Sequence, residues 1–359
     1  MTGAMYAAVA GLRTQMQKMN VIGNNISNIG TYGYKAGRAT FKESLYTTLS
    51  SGSNGSVVTG GVNPTQLGFG CSIGSVDLDM STKSYTPTGY NLDCMIDGDG
   101  FFLVGDKAEL SADQSYASTK AKDLLLTRVG DLRFDPQGFL TDGQGKVVYG
   151  FVTRSETAVA GKCNTENPKT SGQLVPIRLP VAAKNGAAGF AAGEAIYPGV
   201  NAAGANVYAA TTGAGALTEG DTIAVNSVSI DKDTGKITAV NKADNSIVVV
   251  GYIPLASVTN PSGVTHVEGP YYRADEGAGE CVAASIGNAL KGTYLDNGTT
   301  KLIGSAGTTK LVTGGLESSG TDLANEISEM ISTQRGYQAN TRVVTVTDAM
   351  LEELVNMKR

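Results

Sequence analysis

The chain has no tryptophan, one histidine and only 17% charged residues, with a net charge of −5, although it runs to 359 residues. Each shortage removes a class of function. Without indole rings or paired carboxylates in an aromatic setting, a carbohydrate-active enzyme has nothing on which to stack a sugar. A lone histidine, His266, sits in a loop-like stretch between Val264 and Val267 with no triad around it. The mild acidity offers neither a nucleic-acid footprint nor a polybasic membrane patch. Cysteine is scarce and scattered: Cys71, Cys94, Cys163 and Cys281 have no C-x-x-C spacing, which excludes the usual zinc sites. They read as four unlinked small apolar residues, with Cys94 alternating with Leu92 and Ile96 on one strand face. Apolar runs such as Ile247 to Val250 fall far short of a membrane span, so no membrane insertion is expected. The opening Met-Thr-Gly-Ala-Met-Tyr has no basic segment followed by an apolar one, so no cleaved secretory signal is expected.

Catalytic and metal motifs fail when tested one by one. The glycine-rich patches form neither a phosphate loop nor a dinucleotide turn. Asp231-Lys232-Asp233-Thr234-Gly235 looks like a calcium loop, but counted from Asp231 the position that needs a bidentate acid falls on Lys242. That segment and Asp97-Gly98-Asp99-Gly100 read as hairpin turns. The chain is therefore expected to be no enzyme, with no cofactor, no metal and no nucleic-acid partner.

What the chain has instead is periodicity at its two ends. Leu323, Met330, Tyr337, Val344 and Leu351 recur every seven residues, with Ile327 and Val355 beside them. Gln334, Thr341 and Asp348 read as polar residues at core-type positions of the same helix. A helix from Asp322 to Met357 would be roughly 54 Å long and could not bury its own stripe. At the other end Met5, Leu12, Met19 and Ile26 recur at the same step, with Ala8, Gln15, Ile22 and Ile29 at the companion positions. Gly11 and Gly23 interrupt that first helix, read over 2–29, and leave it in need of a partner. The two ends are expected to pair, and the eleven residues Met5, Leu12, Met19, Ile22, Ile26, Leu323, Ile327, Met330, Tyr337, Val344 and Leu351 form the expected polymerisation seam.

Between the ends the sequence reads as β. Ser50 to Gly70 is Ser/Gly/Asn-rich and reads as a linker. Strand alternation begins at Ser72 to Met80. Leu92 to Val104 reads as a hairpin about Asp97 to Gly100, and Arg128 to Tyr149 as a second hairpin about Asp135-Pro136-Gln137-Gly138. Residues 151–245 carry short β-like runs between Ala/Gly/Asn tracts, strand character returns at Ser246, and Gly304 to Gly315 reads as a second linker. The fold class is α+β: terminal helices paired as a coiled coil, plus two mainly-β domains, the second inserted in the first. The expected segments are 1–71, 72–150, 151–245 (the insert), 246–315 and 316–359.

Ile22 to Asn28 with Thr31-Tyr32-Gly33-Tyr34-Lys35 is similar to the signature that follows the first helix in the bacterial flagellar rod and hook proteins, and further segments resemble that family. GYNLDCMIDGDGFF at Gly89 to Phe102 resembles an internal motif, although Cys94 and Met95 depart from it, and TRVGDLRFDPQGFLTDGQGKVVYG resembles the segment that follows. Leu316-Glu317-Ser318-Ser319 and Gln334 to Asn340 complete the pattern, with Ser319 to Leu323 departing from the usual Ser-Asn-Val-Asp-Leu. The motif residues carried by the resemblance are Asn24, Asn25, Asn28, Gly33, Lys35, Asp97, Gly98, Gly100, Phe101, Gln334, Arg335, Tyr337 and Asn340. The resemblance implies a helical homopolymer in the flagellum, outside the cell, reached through the flagellar type III export apparatus without a cleaved signal. It implies distal rod, hook cap and hook–filament junction proteins as neighbours. Within the family the inserted domain favours a hook subunit, the flexible joint that transmits torque, over a distal rod subunit. Outside it, a secreted β-rich adhesin is the alternative.

Overall fold

A computed structural model describes residues 2–54, 60–107, 119–154, 168–183, 193–197, 199–200, 206–207, 222–296 and 299–357. The chain divides into two compact units, one formed by residues 1–79 with 319–359 and the other by residues 80–318.

The first unit holds the two long helices, α1 (Thr2–Ser27) and α2 (Leu323–Asn356). α2 starts at Asp322, whose side chain accepts the Ala324 and Asn325 N–H groups and so satisfies two donors that the first helical turn leaves open. The same unit contains four strands: β1 (Gly37–Glu43), β2 (Tyr46–Ser50) and β3 (Thr65–Gly68), which lie in the segment 1–71 expected to hold only helix and linker, and β4 (Cys71–Leu78), where strand alternation was expected. β1 pairs antiparallel with β4 and β2 with β3. Ser44 N–H to Gly70 O and Phe69 N–H to Leu45 O join the two pairs into one ribbon. Residues 72–79, expected to open the β body, thus lie in the unit of the helices. The base of the ribbon rests on α1 at Gly70, where φ is 99° and a Cβ would lie 3.1 Å from Ala10 Cβ and from Ala7 O. Only glycine combines that conformation with that approach.

The second unit is β. Its main sheet runs through strands Val225–Ile230, Lys236–Asn241, Ile247–Tyr252, Val147–Val152, Phe101–Gly105, Leu255–Val258, Cys281–Ser285 and Gly304–Ser305. All neighbours on this path are antiparallel except the last pair, which is parallel. Ile230, Ile237 and Val248 share one apolar cluster with Phe102, Val104 and Leu255. Among the described residues, sheet and core therefore run across positions 150 and 245, where the boundaries of an inserted domain were expected. Much of 151–221, with Cys163, lies outside the described residues.

The turn at Asp135 forms as the sequence suggests: its carboxylate accepts the Gln137 and Phe139 N–H groups between strands Leu132–Phe134 and Leu140–Asp142. Asp231 makes the equivalent turn, accepting the Asp233 N–H and the Thr234 hydroxyl. The expected hairpin about Asp97 to Gly100 does not form. Strand Cys94–Asp97 pairs instead with Lys310–Thr313, inside the expected second linker, while Phe101–Gly105 pairs with Leu125–Thr127. The physical reason lies at the two glycines, whose φ values of 123° and 129° redirect the chain, with Thr309 packed where a Cβ on Gly98 would be. Cys71, Cys94 and Cys281 are free thiols. Burial pushes the Cys94 thiol up to about 12 and the Cys281 thiol up to about 11, so both stay protonated and unreactive.

Candidate functional site: the paired terminal helices

α1 and α2 run antiparallel, as their cross-helix contacts show. Lys18 pairs with Glu329 at 2.9 Å, and Asn25 donates to Glu326 Oε1 at 2.9 Å. Small residues allow the closest approach. A Cβ on Gly11 would lie 2.6 Å from Asn340 Nδ2, and one on Gly336 would lie 3.1 Å from Gln15 Nε2. Gly11, read as an interruption, is thus a packing position.

Of the expected seam, Ile22 is buried, and Met5, Leu12, Met19, Ile26, Met330, Val344 and Leu351 are half-buried. Leu323, Ile327 and Tyr337 are exposed, so that line is only partly covered within one chain. The polar companions shift by one residue: the fully buried side chains of α2 are Thr333 and Thr347, with Asn340 half-buried between them, whereas Gln334 and Asp348 face solvent. Thr333 donates to Glu329 O and Thr347 to Val343 O, as Thr14 of α1 donates to Gly11 O. A hydroxyl satisfied by its own helix can be buried without leaving an unpaired donor. Sequence reasoning missed these threonines because it weighed side-chain polarity and not local satisfaction.

Past α1, the Asn-rich motif builds a polar hub around Asn25, which is 1% exposed. Its amide donates to Gly37 O and Glu326 Oε1, and its carbonyl oxygen accepts the Gly37 N–H and the Tyr34 hydroxyl. One side chain therefore ties the end of α1, the start of β1 and the first turn of α2. Asn24 donates to the same Tyr34 hydroxyl, and Asn28 caps back onto Asn24 O. Gly33 takes a φ of 66° in the turn that follows, and Lys35 is buried beside it. Ser319-Gly320-Thr321, which departs from the family pattern, still docks on this motif. Ser319 donates to Asn28 O, Gly320 N–H to Tyr34 O and Thr321 to Asn25 O. Burial raises the Glu326 carboxyl pKa against the hydrogen bond from Asn25, with Glu329 adding to the rise. Burial and the nearby Glu326 raise that of the Tyr34 hydroxyl.

Asp97, Gly98, Gly100 and Phe101 belong to the β unit, where Phe101 is core and the glycines turn the chain. Gln334 and Arg335 are exposed on α2.

Among the described residues, two apolar surfaces of this unit are exposed. Val343, Val346, Met350 and Leu354 follow one another at helical spacing beside the α1-facing seam, with Val346 57% exposed. On the ribbon, Leu45, Leu49 and Leu67 are exposed, Leu45 at 79%, and no charged residue occurs from Ser44 to Val76. Natural edge strands are normally blunted by charge, and an isolated two-stranded ribbon is marginal in water. Among the described residues, no helix is long and apolar enough to cross a membrane.

The chain is an α+β protein that packs its two terminal helices together and exposes apolar side chains beside them. Residues 5–35 match the family model described as flagella basal body rod protein, and residues 312–357 that described as flagellar basal body rod FlgEFG protein C-terminal. The flagellar basal-body rod protein FlgG of Bacillus subtilis is 29% identical over 359 positions, covering all of both chains. The flagellar hook protein FlgE of Borreliella burgdorferi is 24% identical over 466 positions, again covering both chains, and that of Salmonella typhimurium is 26% identical over 430, covering 98% of this chain and 99% of its own. The chain is thus similar at both ends to the rod-protein family models and along its length to flagellar rod and hook proteins.

Proposed function

We propose that this chain is the structural subunit of the flagellar hook, and that its copies polymerise through the helix pair and the ribbon of the first unit. The observation that carries the reading is the exposed apolar stripe of α2, Val343 to Leu354, lying beside a seam that one chain covers only in part. In a family of axial proteins a second copy of the chain is the natural cover. Burying each of these half-exposed side chains contributes about 1 kcal/mol, which becomes substantial when repeated at every subunit. On this reading the subunit works outside the cell, exported by the flagellar type III apparatus without a cleaved signal. Its neighbours are the distal rod, hook cap and hook–filament junction proteins, and no catalysis is involved.

A second reading, a distal rod subunit, is favoured by the end-to-end match with the Bacillus subtilis rod protein at 29% identity. The match with hook proteins from two bacteria supports the first. Electron microscopy of polymer grown from the purified chain separates them. Curved, supercoiled polymer supports the hook, straight rigid polymer the rod, and a chain that stays monomeric at high concentration contradicts both.

A further inference from the structure

Two motif segments that the helix pair does not use meet inside the β unit. Arg128 follows strand Leu125–Thr127, and Glu317 ends strand Gly315–Glu317. Both side chains are 1% exposed, their charged groups approach to 3.9 Å, and Arg128 stands over the Phe101 ring at 5.4 Å. Burial lowers the pKa of the Arg128 guanidinium, with Glu317 acting against it. Replacing such a pair by apolar groups is often neutral for stability, so stability alone does not explain its presence.

Its place in the chain does. The unit begins at residue 80 and ends at residue 318, and both chain ends leave from the same end of one ladder. Strand Tyr85–Pro87 runs antiparallel to Gly315–Glu317, with Tyr85 opposite Glu317, and Ser318 N–H donates to Ser84 O. A force that draws residues 80 and 318 apart loads this ladder one bond at a time, the weakest geometry for two strands. Glu317 stands at its opening end. Its Oε1 accepts the Lys83 N–H at 2.8 Å from the opposite chain, while its other oxygen faces Arg128 in the core.

We infer that Arg128 and Glu317 form a clasp that holds the two ends of the β unit together against load. The carboxylate bonds the entering chain, and the buried guanidinium, fixed over Phe101, anchors the carboxylate. The need for such a clasp rests on the axial reading, in which the subunit carries torque. The test does not, because it is made on single molecules and is unaffected if the chain fails to polymerise.

The full chain is held by its two termini in an optical trap, and the opening of the β unit is timed at fixed load. Glu317→Gln keeps an oxygen for the Lys83 N–H but removes the ion pair, and Arg128→Met with Glu317→Gln leaves no buried charge unpaired. The double variant should melt close to the parent yet open about tenfold faster under load, since forced opening follows the unfolding rate. Opening at the parent's rate overturns the clasp. Hydrogen exchange on unloaded Glu317→Gln is the second readout. Faster exchange confined to the Lys83 and Ser318 amides supports the clasp, and no change or uniform acceleration across the unit overturns it.

Discussion

Gly11 faces Asn340 across the helix pair, so close that a Cβ at position 11 would stand 2.6 Å from the amide nitrogen. The obstacle is the end of a side chain that can swing aside, so Gly11→Ala should be nearly neutral, its better helix propensity offsetting the displacement. Gly11→Leu cannot be absorbed that way. It should separate the helices and lower the helical signal of the chain, and Asn340→Gly should restore much of it. Circular dichroism of the three variants checks this. A Gly11→Leu chain as helical as the parent would remove the close approach.

The Asn25 hub makes a second prediction. Asn25→Ala strands the Gly37 N–H and the Glu326 carboxylate in a partly buried place, which should cost about 1 kcal/mol. The loss should appear as faster exchange of the Gly37 amide, with the β unit unaffected. Unchanged exchange at Gly37 would contradict the hub.

Glu326 also sets a pH dependence. Its folded-state pKa is raised from the ordinary 4.5, so the folded form binds the proton more tightly than the unfolded chain. Its contribution is therefore favourable below that value and is lost as pH rises through the folded pKa. The helix pair of the parent, compared with Glu326→Gln, should lose relative stability between pH 4.5 and neutrality. Asp322, Glu329, Lys18 and Tyr34 surround the carboxyl and are common to both chains, so the difference isolates Glu326. Parallel stability curves for the two would contradict the assignment.

The helices were legible in the sequence because a seven-residue repeat survives whatever the partner is. Met330, Val344 and Leu351 are half-buried, while Leu323, Ile327 and Tyr337 on the same reading are exposed, since spacing alone does not say which faces one partner helix covers. Of the ribbon, only β4 was legible, in the alternation from Ser72 to Met80. In the other strands the pairing is irregular at Thr40/Phe41 and Thr48/Ser50, and with both faces largely in solvent nothing enforces a period of two. Strand Cys94–Asp97 was recognised as a strand, but its partner at Lys310–Thr313 lies far along the chain, where local turn chemistry gives no information.

The ribbon carries its own prediction. Leu45→Ser with Leu67→Ser removes apolar surface that touches little within the chain, so the monomer's thermal unfolding should not change. If a second copy covers this face, the concentration needed for polymerisation should rise several-fold. Unaltered assembly would mean that the ribbon lies outside the subunit contacts.

The central claim is that the exposed stripe of α2 is an assembly face, and Val346 is its most exposed side chain among Val343, Val346, Met350 and Leu354. A carboxylate at Val346 stays in water in the monomer, but would have to be buried unpaired or held neutral in a polymer, at several kcal/mol. Sedimentation of polymer against total concentration, with monomer helicity followed by circular dichroism, reads both states. Val346→Asp should leave the monomer as helical as the parent and raise the critical concentration about tenfold or more, a factor of ten being ~1.4 kcal/mol. A Val346→Asp chain that polymerises at the parent's concentration would contradict the account.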